Sequence, residues 1–164
     1  MFKKLFGKEK KKEDTLIAPL TGKIVSLEEV PDPVFAQKMM GDGFAIEPAE
    51  GDVVSPVDGE VVQLFHTKHA IGLKTEAGTE ILIHIGLETV AMEGEGFQAH
   101  IKQGDHVKVG DPLVSFDLDL VKQKAKSTIT PVVITNSEVV TSFDVIASGT
   151  VAKGKTESAT VVLK

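Results

Sequence analysis

Two imidazoles carry most of the chemistry this chain can offer. His84 sits inside the apolar run Ile81-Leu82-Ile83-His84-Ile85, and such a run reads as a strand buried on both faces. Burial disfavours the imidazolium, so His84 is expected to be neutral near pH 7. A neutral ring there can be a nucleophile, a metal ligand or a hydrogen-bonded core residue. His69 opens a second apolar segment, Ala70-Ile71-Gly72-Leu73. Strands over 70–75 and 80–85 are joined by Glu76-Ala77-Gly78-Thr79, which is hairpin length. An antiparallel hairpin centred near 77 pairs positions whose numbers sum to about 154. His69 then falls opposite about position 85, beside His84, and the two rings share one site. His66, His100 and His106 lie in polar or turn-rich surroundings and are expected at the surface.

Several chemistries are excluded by what the chain lacks. It has no cysteine, so thiolate catalysis and disulfides are absent. No G-x-S-x-G elbow supports a serine nucleophile, and neither H-x-H nor H-E-x-x-H is present for a peptidase zinc site. Two imidazoles alone under-coordinate zinc, which usually takes four ligands. All 18 basic residues are lysines, so bidentate guanidinium clamps on phosphate are also missing. What suits a pair of neutral imidazoles is phosphoryl relay: one ring nitrogen attacks phosphorus and the second ring donates to a phosphoryl oxygen. Such transfer depends on positioning and electrostatics, and an apolar wall limits attack by water.

The elements that must position these rings are strands. Fifteen glycines, seven prolines and abundant Val, Ile and Thr in 164 residues indicate one all-β domain with many turns. An internal echo relates Ala18-Pro19-Leu20-Thr21-Gly22-Lys23-Ile24-Val25-Ser26-Leu27 to Ser55-Pro56-Val57-Asp58-Gly59-Glu60-Val61-Val62-Gln63-Leu64. Each copy is a turn feeding a strand, so an antiparallel β-sandwich or barrel with an approximate internal repeat is predicted. Further strands are predicted at 43–48, 97–102, 106–109, 112–116, 131–135, 145–152 and 159–163. Helix is confined to short turns. One is capped by Asp32 with Pro33 at its first position and runs to about Met40; another starts at Asp117 or Asp119. Gly86 to Met92 can hold a single turn, and Ser137–Phe143 fits either a strand or a cap.

Charge divides the chain. Residues 1–14 hold six lysines against three acids, a net of +3; with −6 overall, residues 15–164 carry −9. The first segment reads as a flexible basic tail, with Phe2, Leu5 and Phe6 offering at most weak contact with an anionic membrane surface. It is not a signal peptide, because no apolar core follows the charges. Residues 15–164 form the folded domain, and no run approaches a transmembrane length of ~20 apolar residues. An acidic body without Trp or Tyr argues against nucleic acid and for basic protein partners.

The segment Gly78-x-x-Ile81-Leu82-Ile83-His84-Ile85-Gly86-Leu87-x-Thr89-Val90 resembles the active-site signature of the glucose-class IIA components of the bacterial phosphoenolpyruvate-dependent sugar phosphotransferase system. The resemblance extends to Val30-Pro31-Asp32-x-Val34-Phe35-Ala36, Gly41-Asp42-Gly43, Gly94-Glu95-Gly96-Phe97 and Lys126-Ser127-Thr128-x-Thr130-Pro131-Val132-Val133-Ile134. It implies an antiparallel β-sandwich. It implies that His84 accepts the phosphoryl group through Nε2, that His69 supports onward transfer, and that Thr67 hydrogen-bonds His69. The implied donor is the small histidine-phosphorylated carrier protein (HPr) and the acceptor is a cysteine of a sugar-specific IIB domain. No cofactor is implied. Zinc enters only as an ion that His69 and His84 would share with a partner, as in some relatives. Glu88 stands where some relatives carry Asp and is given no role.

With that role, Val34, Phe35, Met39, Met40, Phe65 and Val90 are read as an exposed apolar collar that docks both partners, the methionines suiting a surface that accepts two of them. The whole describes a monomeric, cytoplasmic phosphoryl carrier, and regulatory binding to other proteins is compatible with it. The rival reading is a biotinyl- or lipoyl-like carrier domain. That needs a lysine at a hairpin tip, for which Lys38-Met39-Met40 is a poor match.

Overall fold

The structure, a computed structural model, describes residues 12–164. Most of the basic tail, and with it the expected membrane contact, lies outside those residues. Strand β1 (Glu13–Ile17) begins two residues ahead of the expected start of order at Thr15. It is held early because Asp14 Oδ2 accepts from Thr75 Oγ1 at 2.7 Å and from Thr79 Oγ1 at 2.6 Å. These bonds fasten β1 to the turn between two later strands.

Those strands are β6 (Ala70–Lys74) and β7 (Glu80–His84). Around them come β2 (Gly22–Ser26), β3 (Gly43–Pro48), β4 (Asp52–Val54), β5 (Gly59–Leu64), β8 (Phe97–Ala99), β9 (His106–Val107) and β10 (Pro112–Phe116). The described chain closes with β11 (Thr130–Ile134), β12 (Val140–Val145), β13 (Gly149–Val151) and β14 (Glu157–Leu163). An eight-stranded sheet runs β9-β5-β6-β7-β11-β3-β2-β13, and two three-stranded sheets run β4-β10-β8 and β12-β14-β1. The strand pairs are antiparallel. The two echoing segments become β5 and β2, each second from an edge of the large sheet. The repeat is therefore visible as approximate symmetry about the β7–β11 centre.

The smaller sheets close one face of the large sheet. Between them lies the main core, with Leu16, Phe44, Ile46, Ile71, Leu73, Ile81 and Ile83 fully buried. Each such side chain contributes roughly 1.5–3 kcal/mol of burial. The opposite face carries a smaller cluster, in which Val25, Ala45, Ala70, Leu82 and Val133 from the strands meet Leu27, Val30, Phe35, Leu87 and Ile129 from short helical turns and loops. Because both faces are covered at its centre, the sheet contains strands that read as continuous apolar runs.

The helical pieces are short. Helix α1 (Pro33–Ala36) is capped by Asp32, whose Oδ1 accepts from Val34 N at 2.9 Å. It was expected to reach Met40 but ends at Ala36. Residues 37–40 are exposed, so no apolar stripe rewards another turn, and Lys38 takes a left-handed φ of 59°. Helix α2 (Leu118–Lys124) is capped by Asp117. Ser137–Val139 forms a 3-10 turn that leads into β12. The single strand expected over 145–152 is two. Ile146 N still bonds Ser158 O of β14, whereas Gly149 pairs with Ile24 of β2. The chain changes sheets between them.

Candidate active site

The hairpin register places Ala70 opposite His84, a sum of 154 as the turn length required. Alternation along β7 sends Ile81 and Ile83 into the main core and leaves Leu82 and His84 on the outer face. Across the ladder His84 faces Ala70, a small side chain buried in the outer cluster. His69, just before β6, accepts a 2.7 Å backbone bond from Ile85 N through its carbonyl. The two ring centroids are 5.0 Å apart at 78°. His66, His100 and His106 are exposed elsewhere.

Both rings have a fixed Nδ1. His84 Nδ1 lies 2.7 Å from the carbonyl oxygen of Gly86. A carbonyl only accepts, so Nδ1 carries the hydrogen and the Nε2 lone pair of the neutral ring is free. His69 Nδ1 lies 2.5 Å from Thr67 Oγ1. Thr67 sits in the β5–β6 turn, where Lys68 adopts a φ of 63° and lets the chain double back. Phe35 packs against His84, centroids 5.2 Å apart, and Phe65 meets His69 edge-on at 5.5 Å.

Burial acts on both rings. His69 is 5% exposed. Its pKa is pushed down from 6.5 to about 4, first by desolvation and then by the neighbouring His84. His84 is lowered by desolvation, against the Gly86 carbonyl and the Asp32 carboxylate, which favour the charged ring. Both are therefore neutral at pH 7. In the unfolded chain His69 binds its proton near 6.5, so between pH 6.5 and about 4 the unfolded state holds more protons. The stability contributed by the neutral ring is complete above that window and is lost as pH falls through it, by at most about 3 kcal/mol. Urea unfolding midpoints measured from pH 7 to pH 4 should fall, and should fall less in His69→Gln.

Gly86 makes the turn that supplies its carbonyl to His84. Its φ is +70°, and a Cβ there would meet Thr89 Cγ2 at 2.7 Å and Ser127 O at 2.8 Å. The left-handed backbone alone costs a non-glycine residue roughly 1–2 kcal/mol. Gly86→Ala should lower the melting temperature by at least about 5 °C, which differential scanning calorimetry would record.

The expected collar divides. Val34, Met39 (69% exposed), Met40 and Val90 (56% exposed) stand in solvent. Phe35 does not: it is 4% exposed, a core residue of the outer cluster whose ring edges the site. Phe65 is half-buried and, with Met40, borders a hollow of about 280 Å³ beside Gly72 and Leu82. Lys38 follows a helix and pairs with Asp42 at 3.4 Å; it is not at a hairpin tip, which removes the basis of the rival carrier reading. Among the described residues no three His, Cys, Asp or Glu side chains are grouped to hold a metal ion. Three features went unforeseen: the Gly86 carbonyl on His84, the Asp32 charge near it, and a lysine contact described below. A glycine two residues past His84 was the one available sign of the first.

The profile of the family described as phosphoenolpyruvate-dependent sugar phosphotransferase system, EIIA 1, matches residues 14–140. The chain is similar to the PTS system glucose-specific EIIA component of Bacillus anthracis, 64% identical and covering 100% of both chains. It is similar to the protein of the same name from Staphylococcus epidermidis, 54% identical with 96% of each covered. Among solved structures it resembles the glucose permease IIA from Mycoplasma capricolum, with a TM-score of 0.85 and 40% identity over 94% of this chain and 97% of that one.

Proposed function

The chain belongs to the EIIA 1 family of the phosphoenolpyruvate-dependent sugar phosphotransferase system, and from that premise we propose that His84 is its phosphoryl acceptor and His69 its transfer partner. Nε2 of His84 attacks phosphorus of phosphorylated HPr; the N–P bond of the donor breaks as the new N–P bond forms. Thr67 donates its hydroxyl hydrogen to His69 Nδ1, which leaves His69 Nε2–H to donate to a phosphoryl oxygen. In the second step a cysteine thiolate of a IIB domain attacks, the His84 N–P bond breaks and an S–P bond forms. The sugar never enters this site. Glucose is the sugar proposed, on the names of the relatives.

One observation carries this reading: a ring whose Nδ1 is committed to a carbonyl, and whose Nε2 is bare, lies 5.0 Å from a second neutral ring. The collar of Val34, Met39, Met40, Phe65 and Val90 docks both partners, and the acidic body draws in a basic donor. The carrier works as a monomer in the cytoplasm; no helix among the described residues is long and apolar enough to cross a membrane. Incubation with phosphorylated HPr tests it. Phosphorus NMR should show one acid-labile phosphohistidine, at Nε2 of residue 84; a label at Nδ1 or on another residue would overturn the assignment.

A further inference from the structure

Helix α1 forms a wall of the site, yet it spans only four residues. One turn has no stability of its own, so contacts from elsewhere must hold it. Phe35 supplies burial from beneath. A second hold comes from 95 residues away: Lys126 Nζ donates to the Pro31 carbonyl at 2.9 Å. Pro31 immediately precedes Asp32, the helix cap. The backbone of the same loop grips the other side of the site. Lys126 N donates to Leu87 O at 3.1 Å, and Leu87 N donates to Ser127 O at 2.9 Å. Leu87 is three residues past His84. One residue thus joins the exit of the histidine strand to the entry of the wall that covers it.

We propose that Lys126 is a positioning residue, a tether that holds the Asp32–Phe35 wall against His84. Its effect on the ring is indirect: the charge acting on His84 from this side is the Asp32 carboxylate, and the ring touching it is Phe35. Lys126 is exposed, and an exposed bond of this kind contributes little to global stability. Its effect is local. With the tether in place, Phe35 shields the histidine from water and Asp32 stays near it. Without it, both move away together.

The test uses the full chain with Lys126→Met, Lys126→Gln and Lys126→Arg, and the shielding part rests on His84 being the phosphorylated residue. In unphosphorylated protein, Lys126→Met and Lys126→Gln should weaken the nuclear Overhauser contact between Phe35 and His84. They should also lower the proton affinity of His84 by about threefold, because a favourable carboxylate has receded. After phosphorylation, hydrolysis of the phosphohistidine should quicken about threefold or more. Lys126→Arg, which keeps a donor, should restore all three, with melting temperatures within a few degrees of wild type throughout. Raised proton affinity in Lys126→Met would mean the lysine acts as a bare charge and would overturn the tether, as would three unchanged readouts or an arginine variant no better than methionine. Failure of the wild-type protein to accept phosphate at His84 sinks the functional reading instead, and leaves the Overhauser and titration arms to judge the tether.

Discussion

His84→Ala accepts no phosphate from phosphorylated HPr: acid-labile label on the variant stays at background, a loss of at least about 10⁴-fold in transfer rate. The magnitude follows from removing the nucleophile rather than a helper. His69 cannot stand in. It is 5% exposed and its Nδ1 is engaged by Thr67. The variant should remain folded, since His84 lies on the outer face while Ile81 and Ile83 hold β7 in the main core. Circular dichroism and thermal unfolding close to wild type would confirm that lost transfer is lost chemistry. Persistent labelling would refute His84 as acceptor.

His69→Gln separates arrival from departure. The variant should still take phosphate from HPr, because a glutamine amide can donate one hydrogen bond to the incoming group. Onward transfer to a IIB domain should fall about 10²–10⁴-fold, the usual range for losing a proton-handling group. Departure brings a thiolate up to an already anionic phosphoryl group, and the Nε2–H of a ring fixed by Thr67 holds a donor on that group more firmly than a freely rotating amide does. Sugar phosphorylation in a reconstituted system reads the second step, and phosphoprotein accumulation reads the first. Normal sugar phosphorylation by this variant would show that the second ring is only a neighbour.

The histidine pair was legible because both rings belong to one hairpin. Turn length sets the pairing sum, and the sum sets the neighbours, so Ala70 had to meet His84 whatever the rest of the fold did. The caps at Asp32 and Asp117 were legible for a similar reason, each being a local bond to an amide two or three residues on. Contacts across long sequence separations were not. Phe35 as site wall depends on a loop folding over the sheet, and a four-residue helix has no periodicity to announce which side it buries. The Lys126–Pro31 bond has no signature in either segment. Val145 and Ile146 looked like strand interior by composition, but both are exposed where the chain leaves one sheet for another. Strand β4 was too short, at Asp52-Val53-Val54, to register as alternation.

Asp14 fastens the first strand to the turn at 75–79, and Lys12 O accepts from Leu163 N beside it. Both described ends of the chain therefore gather at one pole, with the histidines at the other end of a five-residue hairpin, roughly 15 Å away along the strands. A fluorophore, a solid support or a fused enzyme attached through Lys164 would leave the reactive pole facing outward. Such conjugates should load and unload phosphate as fast as the untethered protein.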